Sequence, residues 1–271
     1  MTHAALDQSA MLGGLRFHYR EWPNPGAQSL VLLHGFTGHA RSWESFACAM
    51  QQHYHVYALD QRGHGDSDWT TDYSAEAMVE DVQHWVTALG LKQFVLLGLS
   101  MGGRNAYQFA ATHPEEVERL VIVDIGPAIA QAGATRITAG VQASDIFATP
   151  EEAIERGRAA NPRADEAELQ HRTRNNLMLM DDGRWTFRYD KALRTNRLPR
   201  PDAGDAWKLL PKIKAPTLLI RGELSDVLAP EVANRMLKEI PDCKFATVPG
   251  SGHSIPLESP RGFLEAVRSF L

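Results

Sequence analysis

Short apolar runs alternate along the chain with segments whose apolar residues recur every three to four positions. Leu15 to Trp22 alternates apolar and polar, the pattern of a half-buried strand near a sheet edge. Ser29 to Leu33, His55 to Leu59, Gln93 to Leu97 and Leu120 to Val123 are near-continuous apolar runs, as expected of strands covered on both faces. Between them, Arg41 to Gln52, Ala75 to Leu89 and Gly102 to Ala111 read as helices, the second capped by Ser74. Strand signal returns at Thr217 to Ile220 and Lys244 to Val248, and helices open at Pro230 and Pro260. Strands separated by helices call for parallel pairing with right-handed crossovers, so the expected class is α/β, an open, mostly parallel sheet flanked by helices.

One stretch breaks the rhythm. Between about Gly126 and Trp207 there is no strong strand run, and helical stretches lie near Pro150 to Ala160 and Asp165 to Leu177. Eighty residues are too many for a loop. The expected organisation is therefore a core of residues 1–126 and 207–271 with a helical cap, 127–206, inserted in it. Leu177, Met178, Met180, Trp185, Phe187, Tyr189 and Trp207 supply apolar and aromatic surface, about a third of it expected to reach a ligand pocket.

Composition narrows the function. The 271 residues carry 28 Lys+Arg against 33 Asp+Glu, a net charge of −5, which offers no global attraction for nucleic acid or an anionic membrane. No apolar stretch approaches the ~20 residues that span a bilayer, and Met1 to Gly14 lacks the pattern of a secretory signal. Cys48 and Cys243 make no disulfide framework and no C-x-x-C pair, which points to small packing residues and a cytoplasmic setting. No dinucleotide or phosphate-binding fingerprint and no H-E-x-x-H motif occurs, so neither a cofactor nor a metal is implied.

Gly98-Leu99-Ser100-Met101-Gly102 has the G-x-S-x-G form, and it stands between an apolar strand and a helix. That context presents Ser100 on a sharp turn at the carboxyl end of the sheet, above a helix N-terminus. A serine needs a base and an orienting acid, and this turn type takes them in the order Ser, Asp or Glu, His. His253, in the Gly-rich loop after the last strand, is favoured over His113 and His171 as base. Asp226, after the strand Thr217 to Ile220, is favoured as acid over Asp124 and Glu223. The oxyanion of acyl transfer needs two N–H donors, expected from Met101 and from Phe36 in His34-Gly35-Phe36-Thr37-Gly38. His34 itself reads as a hydrogen-bonding residue of that loop.

These motifs, together with Asp60-Gln-Arg-Gly-His-Gly-Asp-Ser67, Gly222 before Asp226, and Gly252-His253, resemble the α/β-hydrolase superfamily over the whole chain except the cap. The resemblance implies nucleophile Ser100, acid Asp226, base His253 and oxyanion donors Phe36 and Met101, with 60–65 a structural turn. It implies a small-molecule ester or lactone as substrate. Carbon–carbon hydrolases of vinylogous 1,5-diketones share the pattern. So does the menaquinone-pathway enzyme that forms succinyl-hydroxycyclohexadiene carboxylate, in which an arginine beside the elbow, here Arg104, binds a carboxylate. A ligand receptor on the same fold is the non-enzymatic alternative.

Overall fold

The computed structural model describes residues 4–195 and 203–271, so part of the expected 127–206 cap, 196–202, lies outside the described residues. The chain opens with a hairpin, β1 (Leu6–Leu12) and β2 (Leu15–Trp22), turned through Gly13 and Gly14 at φ 55° and 84°. Sequence pattern misses β1 because its apolar residues are too sparse to show a period. Its presence moves β2 one place in from the sheet edge. There follow β3 (Gln28–Leu33), α1 (Glu44–Met50), β4 (Tyr54–Leu59), α2 (Ala75–Ala88), β5 (Phe94–Leu99), α3 (Met101–Thr112) and β6 (Val117–Val123). Ser74 caps α2 by accepting from the Ala77 N–H.

After the inserted segment come β10 (Thr217–Gly222), α9 (Pro230–Glu239), β11 (Cys243–Val248), α10 (Ile255–Glu258) and α11 (Pro260–Arg268). The strands form one eight-stranded sheet in the order β1-β2-β4-β3-β5-β6-β10-β11, parallel from β4 to β11 and antiparallel at β1 and β2. Alternate residues of the central strands feed two cores. Val31, Leu33, Leu96, Ile122 and Leu219 face α2, α3 and α9. Leu30, Leu32, Val95, Leu97, Val121 and Ile220 face α1 and α11. Both faces are therefore dry, which explains why these strands read as unbroken apolar runs.

The segment between β6 and β10 carries α4 (Gln131–Gln142), β7 (Ile146–Phe147), α5 (Pro150–Ala160), α6 (Glu166–Asn176), β8 (Leu177–Leu179), β9 (Trp185–Phe187), α7 (Ala192–Thr195) and α8 (Ala203–Leu209). It is not purely helical, as its sequence suggested. β7, β9 and β8 form a small antiparallel sheet. Strands of two and three residues are too short to leave an alternation in the sequence. Phe147, Ala153 and Leu177 make a core of its own, with Trp185 and Phe187 against it. The other aromatic residues divide: Tyr189 packs with Met101 and Tyr73, while Trp207 packs onto the main core under the Arg235 guanidinium.

Candidate active site

The turn from β5 to α3 holds Ser100 at φ 54°, ψ −115°, a left-handed conformation that costs a non-glycine residue about 1–3 kcal/mol. The surroundings fix it. The Ser100 N–H donates to the Val123 carbonyl at 2.9 Å, and its own carbonyl accepts from Arg104 N–H at 2.9 Å. A Cβ on Gly98 would lie 2.2 Å from the Gly102 carbonyl oxygen, and one on Gly102 would lie 2.3 Å from that of Leu33. The glycines therefore permit a close crossing of strand, turn and helix that no other residue allows.

His253 follows β11 in the loop 249–254. Its Nε2 lies 3.0 Å from Ser100 Oγ, and its Nδ1 lies 2.8 Å from Asp124 Oδ2. The structure thus brings together Ser100 and His253, as expected, but the carboxylate at the imidazole is Asp124. Asp226 does not occupy that place. Its carboxylate is held by Arg136 Nε and Nη2 at 2.6 and 2.8 Å, a pair that pulls its pKa below the ordinary value. Its backbone carbonyl accepts from Gly133 N–H, so Asp226 docks α4 onto the core. Glu223, the other candidate, accepts from Gly250 N–H at 2.8 Å and braces the histidine loop instead.

Asp124 directly follows β6, at φ 51° and fully buried. Its Oδ1 accepts from Gly222 N–H at 3.0 Å and its Oδ2 accepts from Ser225 Oγ at 2.5 Å. Ser225 Oγ itself accepts from the N–H groups of Val227 and Leu228, so its one proton is committed to Asp124. Ser225 is a site residue that sequence reading did not single out. Only its place three residues past the end of β10 marks it. Glu258 is another. It accepts from Gly252 N–H, Asn161 Nδ2 and Arg163 Nε, and so ties the loop of His253 to the inserted segment.

The loop 34–38 lies against the nucleophile: a Cβ on Gly35 would sit 3.4 Å from Ser100 Cβ. Thr37 at φ 59° and the Gly38 N–H to Gly35 carbonyl bond at 2.9 Å make the turn. Phe36 lies in this loop, and Met101 is the first residue of α3, whose backbone N–H has no carbonyl of its own helix to bond. His34 is buried, and burial together with His64 drives its pKa down to about 3. It is neutral, donating from Nδ1 to the Gly35 carbonyl and accepting the Gln61 N–H at Nε2.

Asp60 anchors the same loop through Ala40 N–H at 2.5 Å, Asp66 N–H at 2.9 Å and His18 Nδ1 at 2.6 Å. Burial raises the Asp60 pKa, but the His18 hydrogen bond and charge outweigh it, and the net displacement is downward. Ligand atoms of His18, Asp60 and Asp66 lie within 4.8 Å of one another. Yet these carboxylates are already satisfied by N–H donors and by Arg41 and Arg188, so the cluster reads as a brace for the turn 60–67 rather than a metal centre. Arg104 turns to Asn105 Oδ1 at 3.2 Å and to Met78 Sδ. A cleft of about 380 Å³ runs from Phe36, Leu99 and His253 to Asn161 and Thr173 of the inserted segment, a size suited to a small molecule. Among the described residues no helix is long and apolar enough to cross a membrane.

The sequence and the fold have counterparts among known proteins. A profile of the alpha/beta hydrolase family matches residues 30–266. The chain is 32% identical over 257 residues to the sn-1-specific diacylglycerol lipase ABHD11 of Mus musculus, covering 90% of this chain and 80% of that one. It is 30% identical over 268 residues to the 2-(acetamidomethylene)succinate hydrolase of Mesorhizobium japonicum, covering 96% and 93%. A crystal structure of an E-2-(acetamidomethylene)succinate hydrolase superposes with a TM-score of 0.90 at 24% identity over 98% of this chain and 99% of that one. The chain belongs to the alpha/beta hydrolase family.

Proposed function

We propose that the protein hydrolyses small carboxylic esters or lactones through an acyl-enzyme on Ser100. The observation that carries this reading is the unbroken hydrogen-bonded chain from Ser100 Oγ through His253 to Asp124. In this mechanism His253 Nε2 takes the Ser100 proton as Oγ attacks the carbonyl carbon. Asp124 holds the resulting imidazolium by its Nδ1–H and stays ionised. The N–H groups of Phe36 and Met101 receive the oxyanion. Collapse expels the alcohol, which leaves with the proton from His253. Water, deprotonated by the same nitrogen, then releases the acid and restores Ser100. The described part of the inserted segment, which lines the cleft through Asn161, Thr173 and Phe187, sets substrate choice.

Purified protein should turn over p-nitrophenyl acetate and butyrate and be labelled by a fluorophosphonate, and Ser100→Ala should lose both. Unchanged turnover in that variant would sink the reading. Absence of labelling in the wild type would favour a receptor. Cleavage of a vinylogous 1,5-diketone without ester turnover would move the assignment to carbon–carbon hydrolysis.

A further inference from the structure

His253 is held from both sides by one carboxylate. Glu258 closes α10, the single turn after the histidine, in which the N–H groups of Leu257 and Glu258 both donate to the Ser254 carbonyl, at 2.8 and 2.9 Å. That turn folds the Glu258 side chain back onto the loop. Its Oε2 accepts the Gly252 N–H at 2.5 Å and its Oε1 accepts the Ser254 N–H at 3.3 Å, so the two chain neighbours of His253 share one anchor. The carboxylate's other donors come from the connection between α5 and α6 in the inserted segment. Asn161 Nδ2 donates to Oε1 and Arg163 Nε to Oε2, each at 2.9 Å. A Cβ on Gly252 would fall 2.7 Å from Arg163 Nη2 and 3.1 Å from Glu258 Oε2, so the ion pair presses directly on the backbone beside the histidine.

The two partners differ in depth. The Glu258 side chain is 2% exposed and that of Arg163 48%. A carboxylate that deep is stable only while donors meet its oxygens, and Arg163 brings the full positive charge among them. Withdrawing the donors of the inserted segment leaves a buried charge compensated by backbone dipoles alone. It recovers solvation by turning toward water, and so releases Gly252 and Ser254. The imidazole tolerates little of this, because Nε2 must stay 3.0 Å from Ser100 Oγ while Nδ1 stays 2.8 Å from Asp124 Oδ2. We propose that Glu258 is a positioning residue that makes the alignment of His253 depend on the seating of the inserted segment. It acts through the histidine loop and not through contact with the substrate, and this role rests on the ester-hydrolase reading of Ser100.

The test measures kcat and KM for p-nitrophenyl acetate in the wild type, Arg163→Ala, Glu258→Ala and the double variant. Rates are taken per active site, counted by exhaustive fluorophosphonate labelling, so that a partly unfolded preparation does not mimic the effect. Glu258→Ala should lower kcat by about thirtyfold or more and Arg163→Ala by about threefold or more, with KM held within about twofold in both. The double variant should be within about twofold of Glu258→Ala, because both substitutions act along one path. Losses that multiply in the double variant overturn the coupling. So does a raised KM with unchanged kcat in Arg163→Ala, which would make Arg163 a substrate contact. If Glu258→Ala fails to fold, the half-exposed Arg163→Ala decides alone: a kcat loss below about threefold overturns the proposal, and a larger loss at constant KM upholds it. Turnover that survives Ser100→Ala would instead overturn the hydrolase reading.

Discussion

Asp124 and Asp226 stand beyond the carboxyl ends of neighbouring parallel strands, β6 and β10, and both lie near His253. Asp124 is fully buried and its two oxygens accept from a backbone N–H, a serine hydroxyl and the imidazole. Asp226 keeps about a third of its side chain in solvent and is matched to one half-exposed arginine. The contrast teaches that the end of a strand supplies an address, whereas the function of a carboxylate is set by what takes up its lone pairs. A carboxylate fixed by donors in a dry site costs no reorganisation when the imidazolium forms. One already neutralised by Arg136 has less charge to offer.

Exchanging the two carboxylates one at a time gives the strongest test. Asp124→Asn should lower kcat on a p-nitrophenyl ester by roughly 10⁴-fold, by analogy with triads elsewhere. Asp226→Asn should change it by less than about threefold. Equal losses in the two variants would show that burial is not what selects the acid.

The same distinction between dry and wet sites governs the histidines. His34 and His39 are buried neutral with pKa values near 3 and 4, against 6.5 in the unfolded chain. A depressed histidine pKa means that the unfolded state takes up protons the native state refuses. Stability is then complete above pH 6.5 and lost as pH falls toward 4. Each should remove about 2 kcal/mol between pH 7 and pH 5. Urea denaturation at the two pH values measures this, and His39→Gln should flatten the slope by about half. A slope unchanged by the substitution would mean that His39 titrates normally in the folded state.

Ser225→Ala should remove one donor from buried Asp124 while leaving Asp226 untouched. The expected cost is about 1–3 kcal/mol in transition-state stabilisation, seen as a roughly tenfold or greater loss of kcat. A pH–rate profile that shifts along with kcat would tie the loss to the imidazole, as a merely structural defect would not. The smallest effect belongs to the exposed partner. Arg136→Ala should lower stability by less than about 1 kcal/mol, the more so at low salt. Because the Asp226 pKa is depressed by Arg136, that contribution is present above the usual carboxylate range and fades as pH falls below it. A loss independent of both salt and pH would assign Arg136 a packing role instead.

Much of this site was legible in the chain, for reasons visible in particular residues. Gly98 and Gly102 could be read because a close backbone crossing tolerates nothing larger, and His253 because a glycine-rich loop must follow the last strand. The four buried central strands announced themselves because both of their faces are dry. The acid was not legible by the same means. Three carboxylates, Asp124, Glu223 and Asp226, follow strands, and sequence contains no measure of which will be dehydrated. Their separate employments became visible only with Gly222, Gly250, Ser225 and Arg136 in place. The miniature sheet of the inserted segment escaped because two- and three-residue strands are defined by their partners rather than by a period.

The sequence alone determined the local chemistry: the alternation of strands and helices, the strained turn that presents Ser100, and the loop that carries His253. Each of these is encoded within a few consecutive residues, through steric exclusion at glycine and the burial of apolar runs. Only the tertiary structure decided which carboxylate meets the imidazole and what the other two hold instead. Those outcomes depend on desolvation and on donors drawn from distant parts of the chain, 98 and 101 residues away for Gly222 and Ser225. No local pattern records a partner at that separation.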